Sequence, residues 1–319
     1  MKNFMELIEQ VRFVMRHNCF DDSEILLDKK LVQETYTHFG NLFYQKNFMN
    51  WGLWDKNIYT EYKDLRYDFS RICPFQDIHS ILLVYYVIRP LVSRSFFDKT
   101  LVEVGCGNGI GLKASSELLK TKYSLGVDLT HKLVTNAHSN FYQKERINYI
   151  QSDAEHLPLA SGSVDIITNI ESSHIYPRVV DFYSEVARVL APGGYFCYAD
   201  CDVIAKSRRL ILEDFIKSST DLKILEKHDI TKMVQDSIYR RAIVEADLVY
   251  ASAKNFFDEN KDDFMGEVQS LLGAMGLRFL PWWRIRFKDP KFRAIAKNAR
   301  RYSFGKRKKY FYYLIQKIS

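Results

Sequence analysis

Ten residues, Val102 to Gly111 (V-E-V-G-C-G-N-G-I-G), restrict the fold more than any other stretch of the 319-residue chain. The apolar run up to Val104 reads as a buried strand. Gly105, Gly107 and Gly109 then follow at every second position, and a helical pattern opens at Ile110. Glycine admits positive φ and lacks the Cβ that would hold a ligand off the backbone. The helix that follows presents free N–H groups in its first turn. A strand, a glycine turn and a helix in that order predict the first unit of a parallel α/β sheet, with a nucleotide-type site at the strand's carboxyl end.

Spacing narrows the ligand. A G-x-G-x-x-G cradle would need glycine at 110 counted from Gly105, or at 112 counted from Gly107, and the chain has Ile110 and Leu112 there. A diphosphate is therefore disfavoured. Asp128 closes the apolar run Ser124-Leu125-Gly126-Val127, where a second parallel strand would offer a carboxylate to ribose hydroxyls.

The surrounding pattern extends the same architecture. Short apolar runs at Leu101–Val104, Ser124–Leu129, Ile147–Gln151, Val164–Ile170 and Tyr195–Ala199 alternate with helical ones. This is the rhythm of a doubly wound parallel sheet covered on both faces. Upstream, Lys30 to Tyr44 and Ile78 to Val92 read as helices, the second buried and closed near Pro90. Downstream, residues 201 to about 275 read as amphipathic helices, for example Asp229 to Val249 and Asp262 to Met275, and Lys309 to Ile315 as an aromatic strand. The expected organisation is a helical lid region over 1–97, a Rossmann-like core over 98–202, a helical insertion shaping the substrate pocket over 203–275, and a basic segment closing the sheet over 276–319.

Taken together, E-x-G-x-G-x-G from Glu103 and the acid at 128 resemble motifs I and II of the class I S-adenosylmethionine (SAM) methyltransferases. Leu157-Pro158-Leu159 before Ser163-Val164-Asp165, and Glu185 to Gly194 (E-V-A-R-V-L-A-P-G-G), are similar to the family's entries into its fourth and fifth strands. The resemblance covers about residues 36 to 202. It implies a seven-stranded sheet and SAM as cofactor. It also implies cofactor contacts from Tyr36, Glu103, Gly105, Gly107, Gly109, Asp128, Leu129, Asp153, Ala154, Asn169, Ile170 and Glu171. Asn50 to Asp55 (N-W-G-L-W-D) resembles the turn that precedes the core in such enzymes, where N-terminal helices fold over the cofactor; Tyr36, Trp51 and Trp54 read equally well as plain core aromatics.

Chemistry concentrates after the fourth strand, in Asn169-Ile-Glu-Ser-Ser-His-Ile-Tyr-Pro177, and at Asp200, which ends the fifth. Neighbouring strands would bring His174 and Asp200 together. A histidine whose tautomer an aspartate fixes is suited to take a proton from a hydroxyl nucleophile. These segments resemble most closely the phthiotriol/phenolphthiotriol dimycocerosate methyltransferase group and related sugar and lipid O-methyltransferases. By that resemblance His174 is a general base, Asp200 its partner, and the acceptor a hydroxyl on a lipid or other hydrophobic or glycosylated small molecule. Carbon methylation of a quinone or sterol-like acceptor is the alternative on the same fold, and a nucleic-acid-binding or partner-binding protein of this fold is a further one.

Bulk properties bound the rest. Five cysteines without a C-x-x-C pair favour free thiols in a reducing compartment. No secretory h-region is visible near Met1, and the greasiest run, Ile81 to Ile88, is too short to span a bilayer, so a cytoplasmic location is expected. No His/Cys cluster suggests a metal. Between Leu271 and Ser319, fourteen Lys and Arg face the single acid Asp289. Such a patch suits an anionic membrane surface, with Phe304 and Tyr310 to Tyr313 as interfacial aromatics, or a partner, or water alone. Nucleic acid is disfavoured, because N-I-E-S stands where base methyltransferases commonly carry N-P-P-Y.

Overall fold

The computed structural model describes residues 22–42, 48–73, 77–94, 96–202, 208–244 and 309–319. The expected helix Asp262–Met275 and the basic stretch as far as residue 308 lie outside them.

A seven-stranded sheet forms the centre, in the order β3-β2-β1-β4-β5-β7-β6. Five strands run parallel: β1 (Thr100–Val104), β2 (Tyr123–Asp128), β3 (Ile147–Gln151), β4 (Val164–Ile170) and β5 (Leu190–Asp202). The last two, β6 (Leu222–Asp229) and β7 (Lys309–Lys317), join antiparallel, with β7 lying between β5 and β6. This is the class I methyltransferase, Rossmann-like arrangement. Strand order reverses between β1 and β4, and at such a switch point the loops diverge and leave a crevice beyond the strands' carboxyl ends.

Helices cover both faces, and the strand residues divide between them by simple alternation. Leu101, Ile166, Cys197, Ala199, Tyr310, Tyr312 and Leu314 pack with α3 (Ile78–Val92) and α4 (Ile110–Leu119). Val102, Val104, Ile167, Phe196, Tyr198, Phe311, Tyr313 and Ile315 pack with α6 (Val179–Val189) and α7 (Arg208–Ser218) on the other face. Apart from its last turns α3 is buried nearly all round, as its unbroken apolar sequence requires. Its N-terminus is capped by Asp77, and Pro90, which cannot donate to the ladder, falls in the final turn, just before the C-cap Ser93.

Two expectations change. Residues 222–229, read as part of a helical insertion, form the edge strand β6, and the helix read from Asp229 begins as α8 at Thr231 and ends at Tyr239, passing into a π-turn over Arg240–Val244. On β6 the alternation places Ile224, Glu226 and His228 half-buried, with Lys223, Leu225 and Lys227 exposed. Charge on both faces hides the strand period.

The E-x-x-R of α6 has a purely structural use. Arg188 Nε and Nη2 donate to the two Glu185 carboxylate oxygens, both at 2.7 Å, while Nη1 and Nη2 reach the carbonyls of Leu159 and Leu157 at 2.7 and 2.9 Å. Glu185 in turn accepts from the Leu157 N–H at 2.7 Å. The motif therefore staples the Leu157–Leu159 loop to the helix. Gly193, at φ 80°, then turns the chain back into the sheet.

Candidate active site

At the carboxyl ends of β1 and β4 lies a cleft with about 1030 Å³ of empty space, its open mouth included. The glycine turn forms its floor. Gly105, Gly107 and Gly109 all hold positive φ, at 73°, 53° and 79°. Their uses differ. A Cβ on Gly105 would lie 1.9 Å from Ser172 Oγ, so side chains of the β4 loop already press on it. A Cβ on Gly107 would meet only Met49 Sδ, at 3.4 Å, which leaves the backbone there open to the cleft. Gly109 does not line the cleft: it caps α4, and a Cβ would strike Tyr149 at 2.5 Å and Ala137 at 2.7 Å. Its small size serves helix-to-sheet packing.

Carboxylates dominate the wall. Glu103, Asp128, Asp153, Glu155 and Glu171 all line the cleft. Glu103 is 4% exposed, and among the described residues its Oε2 has no hydrogen-bond partner. Burial pushes its carboxyl up to about 8, the Leu112 N–H opposing the rise. Asp128 is likewise raised by burial, against donors from the Gly107 N–H at 2.9 Å and the Thr130 N–H at 2.8 Å. The Thr130 hydroxyl also bonds to it, and the acceptor capacity that remains on the carboxylate is open to a ligand hydroxyl. Burial also raises Glu171 well above the usual carboxylate range, and its Oε2 accepts from the Trp51 N–H. Glu171 holds a left-handed backbone at φ 51°, where strain in a side-chain-bearing residue is commonly maintained by function.

Leu129, Ala154, Ile170 and Tyr36 also line the cleft. Tyr36 is carried there by α1 (Asp22–Leu42), which lies across the cleft with Val32 and Lys29 on the same lining. Burial, then Asp128, raises the Tyr36 hydroxyl. Gln33 Nε2 donates to the Leu129 carbonyl and Asn136 Nδ2 of α5 (His131–Phe141) to that of Gly40, each at 3.0 Å. Lys29 Nζ sits within hydrogen-bond distance of Asp153 Oδ2 and Glu155 Oε2 together. Asn169 stands behind the lining instead, donating from Nδ2 to the Val104 carbonyl at 2.8 Å and to Tyr176 Oη at 3.2 Å. Trp51 and Trp54 pack against the core, outside the cleft.

Sequence reading missed Lys29, Ser172 and Tyr176. The last two share a 2.7 Å hydroxyl pair directly over Gly105. Their signal was available in S-S-H-I-Y-P, which places hydroxyls on both sides of the histidine; Lys29 had none, being 124 residues from Asp153.

His174 and Asp200 do meet. His174 rides on a 3₁₀ turn, Ser173–Ile175, and its Nδ1 lies 2.8 Å from Asp200 Oδ1. Ser172, just before the turn, and Ile175, at its end, line the cleft, while the pair itself sits just behind that wall, 7% and 4% exposed. Burial would raise Asp200, but the opposing charge and hydrogen bond of His174, with donors from Ser173 and Cys201, hold its carboxyl below the ordinary range. With Nδ1 committed to the carboxylate, Nε2 is the nitrogen left to accept a proton. Cys201 Sγ completes, with these two, one group of metal-type donor atoms within 4.8 Å of one another among the described residues. Both Asp200 oxygens there are occupied by protein donors.

Comparison with known proteins agrees with this geometry. Residues 102–198 match the family model described as a methyltransferase domain. The chain is similar to a fatty-acid O-methyltransferase of Mycolicibacterium smegmatis, 39% identical over 106 residues, 32% of this chain and 37% of that protein. It is also similar to a phthiotriol/phenolphthiotriol dimycocerosates methyltransferase of Mycobacterium tuberculosis, 31% identical over 171 residues, 53% of this chain and 61% of the relative. The matched part thus spans less than two thirds of either protein. Among solved structures, the [4+2]-cyclase SpnF superposes with a TM-score of 0.58 at 14% identity, covering 91% of this chain and 96% of that one. A geranyl diphosphate C-methyltransferase from Streptomyces coelicolor A3(2), crystallised with S-adenosyl-L-homocysteine, superposes at 0.53 and 14%, covering 89% and 98%. At that identity these two establish the shared fold.

Proposed function

We propose that this chain, whose residues 102–198 match the methyltransferase-domain model, is a SAM-dependent O-methyltransferase acting on a hydroxyl of a lipid or similarly hydrophobic molecule. The observation that carries the proposal is the 2.8 Å contact of His174 with Asp200 beside a cleft floored by glycine and walled by carboxylates. The cleft fits the cofactor on its own chemistry. Glu103 Oε2, buried and unpartnered, offers an acceptor to an ammonium, and the bare backbone at Gly107 lets a ligand approach. Asp128 would take ribose hydroxyls, Asp153 and Ala154 the base end, and Tyr36 the lid side.

SAM, when bound, supplies a methyl group on a positively charged sulfur. The chain's own part is to hold a hydroxyl in line with that methyl in a dry site, and such positioning is worth ~7–11 kcal/mol in favourable cases. His174 Nε2 accepts the hydroxyl proton as the oxygen becomes the nucleophile, and Asp200 stabilises the imidazolium that results. The lipid character of the acceptor is supported by the two mycobacterial-type relatives, one named for fatty acids and one for phthiotriols.

Two experiments test this. Isothermal titration with SAM and S-adenosylhomocysteine is expected to show micromolar or tighter binding of both; no binding of either would refute the cofactor assignment. Incubation with methyl-labelled SAM and long-chain alcohols or hydroxylated lipids should label an ether product, whereas label appearing only in the methyl ester of a fatty acid would move the acceptor from a hydroxyl to a carboxylate. His174→Ala is expected to lower that turnover by ~10²–10⁴-fold with SAM affinity unchanged, and undiminished turnover would remove the histidine from the base role.

A further inference from the structure

The aspartate is held by more than its histidine. Asp200 Oδ2 accepts from Ser173 Oγ at 2.7 Å and from the His174 backbone N–H at 2.9 Å, while Oδ1 accepts from the Cys201 N–H at 2.7 Å as well as facing His174 Nδ1. Ser173 has one hydroxyl proton, and an ionised carboxylate can only accept. The 2.8 Å contact between Ser173 Oγ and Tyr198 Oη must therefore be donated by the tyrosine. A continuous line results: Tyr198 to Ser173, Ser173 to Asp200, and His174 to Asp200 from the other side. All four side chains are buried, and Ser173 and Tyr198 line no part of the cleft.

We propose that Ser173 and Tyr198 are positioning residues for the histidine, which hold the carboxylate of Asp200 in place and set how strongly it draws the Nδ1 proton of His174. The proposal rests on the reading of His174 as the base. Its physical content lies in how a carboxylate divides its hydrogen-bonding capacity. Asp200 grips the 3₁₀ turn twice, through the Ser173 hydroxyl and the His174 amide, so the ring and the carboxylate cannot shift independently. Two further donors, Tyr198 through Ser173 and Cys201 N–H, draw electron density from the oxygens and temper the pull of Asp200 on the imidazole proton. Without them the carboxylate would bind an imidazolium more strongly and give up its hold on that proton less readily. The other titratable groups that act on Asp200 or its neighbours are Glu171 just past β4, Tyr176 after the 3₁₀ turn, Tyr183 of α6, Cys201 of β5, Tyr36 of α1 and Tyr310 of β7. None of these six is altered by the variants below.

The test is a histidine-resolved NMR titration of the protein loaded with S-adenosylhomocysteine, with ring nitrogen shifts reporting the tautomer. Ser173→Ala is expected to raise the His174 midpoint by about 0.5 pH unit or more, with the proton kept on Nδ1, following the loss of a donor to the carboxylate. Tyr198→Phe should move it in the same direction by less, and Ser173→Thr should restore it. S-adenosylhomocysteine affinity should stay within about twofold throughout, because neither residue lines the cleft. An unchanged or lowered midpoint in folded Ser173→Ala and Tyr198→Phe would overturn the proposal. Should Ser173→Ala fail to fold, Tyr198→Phe, which removes one oxygen only, decides alone. The His174→Ala turnover assay is separate: full activity there sinks the base reading, whereas unmoved titrations beside a dead His174→Ala sink only the positioning line.

Discussion

Glu103 and Asp200 are both buried carboxylates at the carboxyl end of this sheet, and their surroundings push them in opposite directions. Glu103 holds its proton up to about pH 8, whereas the ordinary value is 4.5. Between those limits the unfolded chain releases a proton that the folded protein retains, so stability falls as pH climbs through that window. Glu103→Gln removes the loss while keeping an acceptor for the Leu112 N–H. Its unfolding free energy is expected to match wild type at pH 4 and to exceed it by an amount on the order of a few kcal/mol at pH 8, as read from urea titrations at the two pH values; an equal difference at both would refute the burial argument. Asp200 works the other way. Its folded value lies below the ordinary 3.8, so its contribution is present above that pH and is lost as acid carries the pH down through the lower one. At this scale the sequence was informative where two residues end adjacent strands, as His174 and Asp200 do. It was silent where a contact joins distant segments, as with Lys29 and Asp153, because nothing local marks a lysine that will find two carboxylates across a cleft.

Among the elements, the glycine turn, β1 through β5 and α3 were legible because each strand clusters its apolar residues in a short run, β1 opens directly into the glycines, and α3 is apolar for most of its length up to Pro90. The strand β6 was not, since an edge strand flanked by solvent mixes charge into both faces. The turn at Asn50–Gly52 was recognisable as a motif, but its purpose shows only in three dimensions. Ser237 of α8 donates to the Trp51 carbonyl at 2.8 Å, Arg241 to that of Asn50 at 3.3 Å, and the Trp51 N–H reaches Glu171. Gly52 makes this possible: at φ 71°, a Cβ would lie 2.7 Å from Ser237 Oγ and 2.8 Å from the His79 carbonyl carbon. Gly52→Ala is expected to lower stability by about 2 kcal/mol or more, visible as a fall in Tm, and a Tm within a degree of wild type would contradict the packing described. The lid helix α1 makes its own prediction. Lys29→Met should speed dissociation of S-adenosylhomocysteine by about tenfold and remove most of the salt dependence of that rate, because the ion pairs to Asp153 and Glu155 tie the helix across the cleft. Stopped-flow measurement at low and high salt would show it, and an unaltered salt slope would refute the tie.

For the whole molecule the decisive element is β7. Its side chains serve both faces of the sheet, Tyr310, Tyr312 and Leu314 on one and Phe311, Tyr313 and Ile315 on the other. A chain ended before Lys309 is therefore expected to lose cooperative thermal unfolding in circular dichroism, and retention of a sharp transition would show that β5 and β6 can dispense with it. Among the described residues no helix is long and apolar enough to cross a membrane. The placement of β7 also bears on how such a protein is made. Synthesis delivers the glycine turn, the lid and all five parallel strands first, yet the outer edge of β5, with Phe196 and Tyr198 beside it, waits for Tyr310 to Gln316. A nascent chain paused anywhere before those residues would present an open strand edge to its neighbours, so on the ribosome this fold closes late, and a holding chaperone would find its substrate in the interval.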